Sequence, residues 1–278
     1  MSLLQSILMG LVQGLTEFLP VSSSGHLVLA NNLLGIQTGT GILFEVMLHL
    51  GTLVSVFIVF YRDIYNMVAE FFIMSRDIVR GKGPRLKSSP YRVMLVMVLV
   101  ATIPTGIIGF LFNDFLERAF GSTRIVSVML LVTGTLLYIA NGLEDGVKGP
   151  ARIRISDALI VGIFQGLAIT PGISRSGSTI FAGLLRGFTR ELATRFSFIM
   201  SIPAILGAAV LEFSDYSGAA LPSGQLTVML AGTAMAAVAG TIAIRFLIGL
   251  LSRGKLHYFS YYCWLVGLTG LIASLIIR

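Results

Sequence analysis

Gln165-Gly166-Leu167-Ala168-Ile169-Thr170-Pro171-Gly172-Ile173-Ser174-Arg175-Ser176-Gly177 places a polar turn inside a long apolar run. Ala158–Ile169 leads into the turn and Thr179–Leu185 leaves it. Neither arm is long enough to cross a bilayer, which takes ~17–25 residues of helix. Short helix, polar turn, short helix reads as a re-entrant hairpin that enters and leaves on one side. Sliding the sequence on itself by 152 residues puts Gln13-Gly14-Leu15-Thr16-Glu17-Phe18-Leu19-Pro20-Val21-Ser22-Ser23-Ser24-Gly25 on the same stretch, with six of thirteen positions identical. Composition alone would give about one identity in such a window. Leu3–Thr16 and Leu27–Leu34 flank the earlier copy in the same way. Gly10/Gly162, Ala30/Ala182, Leu33/Leu185, Gly35/Gly187 and Phe44/Phe196 also match at this offset without a gap.

Composition sets the solvent for these hairpins. Of 278 residues, 55% are hydrophobic and 12% charged, and the mean hydropathy is +0.89. A soluble enzyme, a disordered chain and a nucleic-acid-binding module are thereby excluded. The net charge of +7 does not restore a nucleic-acid partner, since the first Lys or Arg is Arg62. The single cysteine, Cys263, permits no internal disulfide. Met1-Ser2-Leu3-Leu4 lacks the positive start of a secretory signal, so the N-terminus is expected to be retained.

Six further stretches suffice to span: Ile42–Tyr61, Val93–Phe112, Ile125–Gly142, Phe196–Glu212, Leu226–Leu250 and Tyr258–Ile277. The expected fold is therefore an all-α integral membrane protein of six transmembrane helices and two re-entrant helical hairpins (3–35 and 158–187). The two halves, 1–141 and 157–278, each hold one hairpin and three spans. Three is odd, so the second half is expected to be inverted relative to the first, joined by a linker around Gly149-Pro150 within one membrane domain. With both termini outside, sixteen Lys and Arg fall on the inner side and only Arg118, Arg124 and Arg278 on the outer, a strong positive-inside bias.

Inverted repeats with broken helices bring their polar turns together near the midplane. Polar backbone at that depth is tolerated only inside protein or beside a wet cavity, so the two turns mark a site. The first offers Gln13, Glu17, Ser22, Ser23, Ser24 and His26, and the second Ser174, Arg175, Ser176, Ser178 and Thr179. Arg175 is the sole charge between Ala158 and Leu185, and such a residue is functional by default. Its planar fork matches phosphate oxygens. Hydroxyls and free N–H groups where the second short helices begin add anion donors. Gln13 and Glu17 share a helix face and can hold Mg²⁺ or Ca²⁺ against that anion. His26 and Ser23, three apart, suit one serving as base or nucleophile beside the other. The bland alternative is a Glu17–Arg175 ion pair that only docks the hairpins.

These two segments, extended to His26 in the first and Thr179 in the second, resemble the signatures of the undecaprenyl-diphosphate phosphatases of the bacitracin-resistance type. The likeness covers nearly the whole chain, including Phe44-Glu45 and Phe196-Ser197-Phe198. It implies removal of the terminal phosphate from a C55 polyprenyl diphosphate, which recycles a lipid carrier of cell-wall synthesis. By position it implies Glu17 in the metal and acid–base group, with Gln13 as second metal residue and a divalent cation as cofactor. Ser23 and His26 become nucleophile and base candidates beside a catalytic Arg175. Ser22, Ser24, Ser174, Ser176, Gly177 and Thr179 complete the substrate-binding set. Gln13 stands where the family often carries Glu. Expected partners are the lipid substrate, membrane lipids and a second copy of the chain.

Two rivals bear weighing. The other integral lipid-phosphatase design needs a His five residues after its Ser-Arg, where this chain has Phe181. A secondary transporter or polyprenyl-phosphate flippase fits the inverted repeat, but the Ser/His/Glu/Arg set exceeds what binding alone needs. Glu45 is read as either second-tier or interfacial, and His49 as a satisfied bundle residue.

Overall fold

The computed structural model describes residues 1–34, 41–215 and 224–276. Gly35 and Arg278, and the side chains of Ala30, Leu33, Glu212 and Asp215, lie outside what is described. Among the described residues the chain is helical, and its one bridge joins Lys148 to Phe188. The expected all-α membrane fold is what forms.

Each hairpin is two short helices around a turn: α1 (Leu3–Phe18) with α2 (Ser23–Leu34), and α8 (Ile155–Leu167) with α9 (Arg175–Leu185). At 16 and 13 residues, α1 and α8 fall short of a ~30 Å apolar core at ~1.5 Å per residue. Local chemistry sets their ends. Ser2 and Gln5 form a reciprocal capping box at the start of α1. Ser22 Oγ accepts from the Gly25 N–H at 3.2 Å to open α2, and Ser174 Oγ accepts from the Gly177 N–H at 3.1 Å to open α9. Asp157, fully buried at the head of α8, accepts from Lys148 Nζ at 2.9 Å, from Arg186 Nε at 2.9 Å and from the Arg154 N–H at 3.0 Å. Arg186 directly follows α9, so the second hairpin opens and closes at one face.

Five helices are long and apolar enough to span: α5 (Pro90–Leu111), α7 (Thr123–Gly142), α10 (Arg190–Asp215, of which Arg190–Leu211 qualifies), α11 (Gln225–Leu251) and α12 (His257–Ile276). The sixth expected span is α3 (Gly41–Val59), which qualifies only with α4 (Tyr61–Val79) across an 86° bend at Phe60. The expected span pattern places no element in residues 62–92, where most of α4 lies. It also missed α6 (Asn113–Phe120), which follows α5.

The packing is reciprocal between the halves. α1 lies on α11 and α8 lies on α5, each a hairpin arm on a span of the other half, while α7 pairs with α12. Matched glycines allow the close approach: a Cβ on Gly10 would sit 2.2 Å from the Gly232 carbonyl oxygen, and one on Gly162 would sit 2.1 Å from that of Ala101. Small residues at such crossings are how membrane helices approach. The core beneath the first turn is aromatic, with Phe18 edge-on to Phe198 at 5.4 Å and Phe60 beside Phe198.

Candidate active site

The two turns meet, as their sequence pairing required. Arg175, first residue of α9, donates from Nη2 to Glu17 Oε1 at 2.7 Å across a separation of 158 residues. Ser23, first residue of α2, donates its hydroxyl to Glu17 Oε2 at 2.7 Å. Gln13, one turn before Glu17 on α1, donates its amide to the same oxygen at 2.9 Å. Glu17 thus ends α1 as an anion with a donor on either side, buried to 7% exposure. An unpaired charge there would be costly, and three charge-assisted hydrogen bonds offset that cost.

Further contacts join the turns. Ser176 Oγ donates to the Leu19 carbonyl at 3.4 Å. Thr133, on α7, donates to the Gly172 carbonyl at 2.8 Å and accepts from the Ser174 N–H at 3.0 Å, fixing the second turn from outside the hairpin. Gly172 has φ +94°, and a Cβ there would lie 2.3 Å from the Val126 carbonyl oxygen. Ser22 adopts φ +70° without being glycine, a strained conformation of a kind that concentrates at functional turns.

Other sequence candidates fall elsewhere. His26 is not bonded to Ser23. Its Nδ1–H donates to the Ser22 carbonyl at 2.7 Å, which in the neutral ring leaves Nε2 to accept from the Tyr262 hydroxyl at 2.7 Å. The two rings stack at 5.5 Å. The i,i+3 pairing expected for Ser23 and His26 is therefore replaced by Ser23 with Glu17, because the capped start of α2 turns the hydroxyl toward the end of α1. Ser22 and Ser174 serve as helix caps, and the Gly177 N–H expected to be free for an anion is taken by Ser174. Ser24 touches Ser22 at 3.3 Å and Ser176 touches Ser174 at 3.2 Å. Thr179 contacts Ser197 of α10 at 2.6 Å, away from Glu17.

His49 is satisfied as expected, but its place beside Gln13 and Glu17 was missed. It stands on α3 with Nδ1 3.1 Å from the Gln13 amide nitrogen and 3.7 Å from Glu17 Oε2, inside the site. Tyr262, Thr133 and Ser197 were also missed. Only Ser197 carried a signal, its place between Phe196 and Phe198 in the repeat; the others sit on helices whose register the sequence does not fix.

Two polar atoms in the site are buried without a partner: Gln13 Oε1 and Arg175 Nη1. One is an oxygen acceptor and the other a cationic donor, the pair that a metal-bound anion would satisfy. Among the described residues no three His, Cys, Asp or Glu side chains cluster to hold a metal by themselves. Mg²⁺ commonly binds through one or two carboxylates together with substrate phosphates and waters. Glu17 and the free Gln13 oxygen fit that mode, and a protein-only cage is not needed.

The profile of the family described as Bacitracin resistance protein BacA matches residues 6–269. The chain belongs to this family. Similar proteins include the undecaprenyl-diphosphatase of Alkaliphilus metalliredigens, 49% identical over 276 residues that cover 99% of this chain and all of the relative. That of Halothermothrix orenii is 45% identical over 274 residues, 99% of each chain. That of Methanosphaera stadtmanae is 41% identical over 280 residues, the whole of both. The two turns thus meet within a BacA-family membrane protein.

Proposed function

We propose that this chain hydrolyses undecaprenyl diphosphate to the monophosphate and inorganic phosphate, recycling the carrier lipid in the plasma membrane and thereby countering bacitracin. The observation that carries this is the Glu17–Ser23–Arg175 contact between the turns, in a chain matched end to end by relatives named for that activity. All its side chains come from one copy of the chain.

The geometry supports the following reaction. Arg175 binds the diphosphate through the unpartnered Nη1, and Nη2 passes from Glu17 to a phosphate oxygen. Losing that cation makes the Glu17 carboxylate more basic, and Oε2, which already accepts from Ser23, takes the Ser23 proton. Ser23 Oγ forms a bond to the terminal phosphorus, the bond from phosphorus to the bridging oxygen breaks, and polyprenyl monophosphate leaves with its electron pair. The proton on Glu17 passes to the departing monophosphate, and the regenerated carboxylate takes a proton from water, whose oxygen bonds to phosphorus while the bond to Ser23 Oγ breaks and Ser23 regains a proton from Glu17. A divalent ion held by Glu17, Gln13 and the diphosphate would neutralise charge on the phosphate oxygens. His26, with Nδ1 tied to the Ser22 carbonyl and Nε2 accepting from Tyr262, holds the start of α2 and so positions Ser23 without touching the phosphate.

Both termini and the mouth of the first hairpin are assigned to the outer face and the Arg-rich segment to the cytoplasm, with the halves inverted. The positive-inside bias and the reciprocal packing of α1 on α11 and α8 on α5 support this. The test is phosphate release from C55 diphosphate by the purified protein in detergent. No release, with lipid movement in liposomes, would favour a flippase instead.

A further inference from the structure

The helix α4 is built inside out. Its acidic residues all face the protein: Asp63 pairs with Arg195 of α10, while Glu70 and Asp77 take Arg92 of α5, through Nε at 2.9 Å and Nη1 at 3.2 Å. Opposite them runs an exposed apolar stripe at helical spacing, Tyr61, Tyr65, Val68, Phe72 and Val79, with Tyr65 73% and Phe72 65% exposed. The bend from α3 is 86°, so with α3 along the membrane normal α4 lies in the membrane plane. Around the stripe stand Arg62, Arg76, Arg80, Lys82, Arg85 and Lys87, all exposed and none in an ion pair among the described residues.

We propose that α4 and the turn after it form a binding surface for anionic phospholipid headgroups, with the Tyr65–Phe72 stripe seated in the acyl boundary and the six cations on the phosphates. An amphipathic helix with apolar and basic faces binds a membrane surface in this way, and each cation near an anionic leaflet adds to the attraction. A second copy of the chain fits the surface worse. A two-fold contact sets the same patch against itself, which would bring these cations together with no acid left to receive them. The surface is separate from Glu17 and Arg175, and it needs no assumption about the reaction.

The experiment uses full-length Cys263→Ala protein carrying one spin label at Tyr65→Cys, Val68→Cys or Phe72→Cys. It is reconstituted in phosphatidylcholine vesicles with and without phosphatidylglycerol. All three labels should be reached by oxygen, shielded from aqueous nickel chelate and at one common depth. Aqueous exposure, a graded depth, or label–label coupling showing a dimer would overturn the proposal. Spin-labelled phosphatidylglycerol should associate more than phosphatidylcholine does. That preference should drop severalfold in Arg62→Gln/Arg76→Gln/Arg80→Gln protein, and for the parent protein in about 1 M salt, where the Debye length is ~3 Å. An unchanged preference in the triple variant refutes the assignment. So does a preference lost together with detergent phosphatase activity, since the cations would then serve folding.

Discussion

Arg175→Lys isolates the feature on which the reaction depends most. The substitution keeps the positive charge and removes the fork. In the structure one prong, Nη2, is engaged by Glu17 at 2.7 Å and the other, Nη1, is buried and unpartnered. A lysine ammonium can replace the first contact as a point charge, but its single nitrogen cannot also reach where Nη1 points. A hydrogen bond to a charged group is worth ~1.5–3 kcal/mol. At ~1.4 kcal/mol per factor of ten, loss of one such bond in the transition state lowers the rate roughly 10- to 150-fold.

Where the loss appears is informative. A fork that grips the phosphoryl oxygens as charge develops lowers kcat, whereas one that holds only the ground-state diphosphate raises KM. The assay is steady-state phosphate release across a substrate titration in detergent, with thermal unfolding measured alongside. Arg175→Lys should unfold near the parent temperature, because the Glu17 partner keeps a cation. If both kinetic parameters match the parent, Arg175 only docks the hairpins and the phosphate-fork reasoning is wrong. If activity and melting fall in step, the same conclusion holds.

Other outcomes test the remaining parts. Chelation should abolish phosphate release and be reversed by added Mg²⁺ or Ca²⁺, and Glu17→Ala should be down on the order of a thousandfold; Gln13→Glu should stay active, and full activity in excess chelator would remove the metal. Ser23→Ala should lose the phosphorylated enzyme that rapid acid quench traps in the parent, while His26→Ala retains it at a reduced turnover; label retained in Ser23→Ala would move the nucleophile elsewhere. Lys87→Cys in a Cys263→Ala background should resist an impermeant thiol reagent in intact cells, and labelling there would overturn the orientation. Asp157→Asn should destabilise the fold by about 3 kcal/mol, the low end for breaking a buried pair, because Lys148 and Arg186 keep partial access to water; an unchanged melting temperature would show that the second hairpin is closed by other contacts.

Much of the fold was legible because the membrane reduces the alternatives. Apolar length separates α5, α7, α11 and α12 from the half-length α1 and α8, and water cannot satisfy backbone in between. The repeat then pairs Glu17 with the stretch holding Arg175, although nothing local links residues so distant. Two of the failures share one physical cause. Periodicity in an apolar helix that is hydrophobic all round does not say which face meets protein, so His49 on α3 and Tyr262 on α12 could not be placed. A reversed pattern hid α4, whose acids face inward and whose aromatics face outward, opposite to a soluble amphipathic helix.

The misplacement of His26 shows a different limit. Spacing of three puts Ser23 and His26 on one side of α2, and in an isolated helix they would be neighbours. Yet both lie in the first turn, where side chains compete to satisfy uncapped N–H groups and the ends of adjoining helices. Ser22 takes the cap, Ser23 turns to the carboxylate that ends α1, and the imidazole is drawn off by the Ser22 carbonyl and Tyr262. The partner of a helix-start hydroxyl is therefore decided by what terminates opposite it. Here that is Glu17, and so the Ser23 hydroxyl is held across the two arms of the hairpin, between the end of α1 and the start of α2.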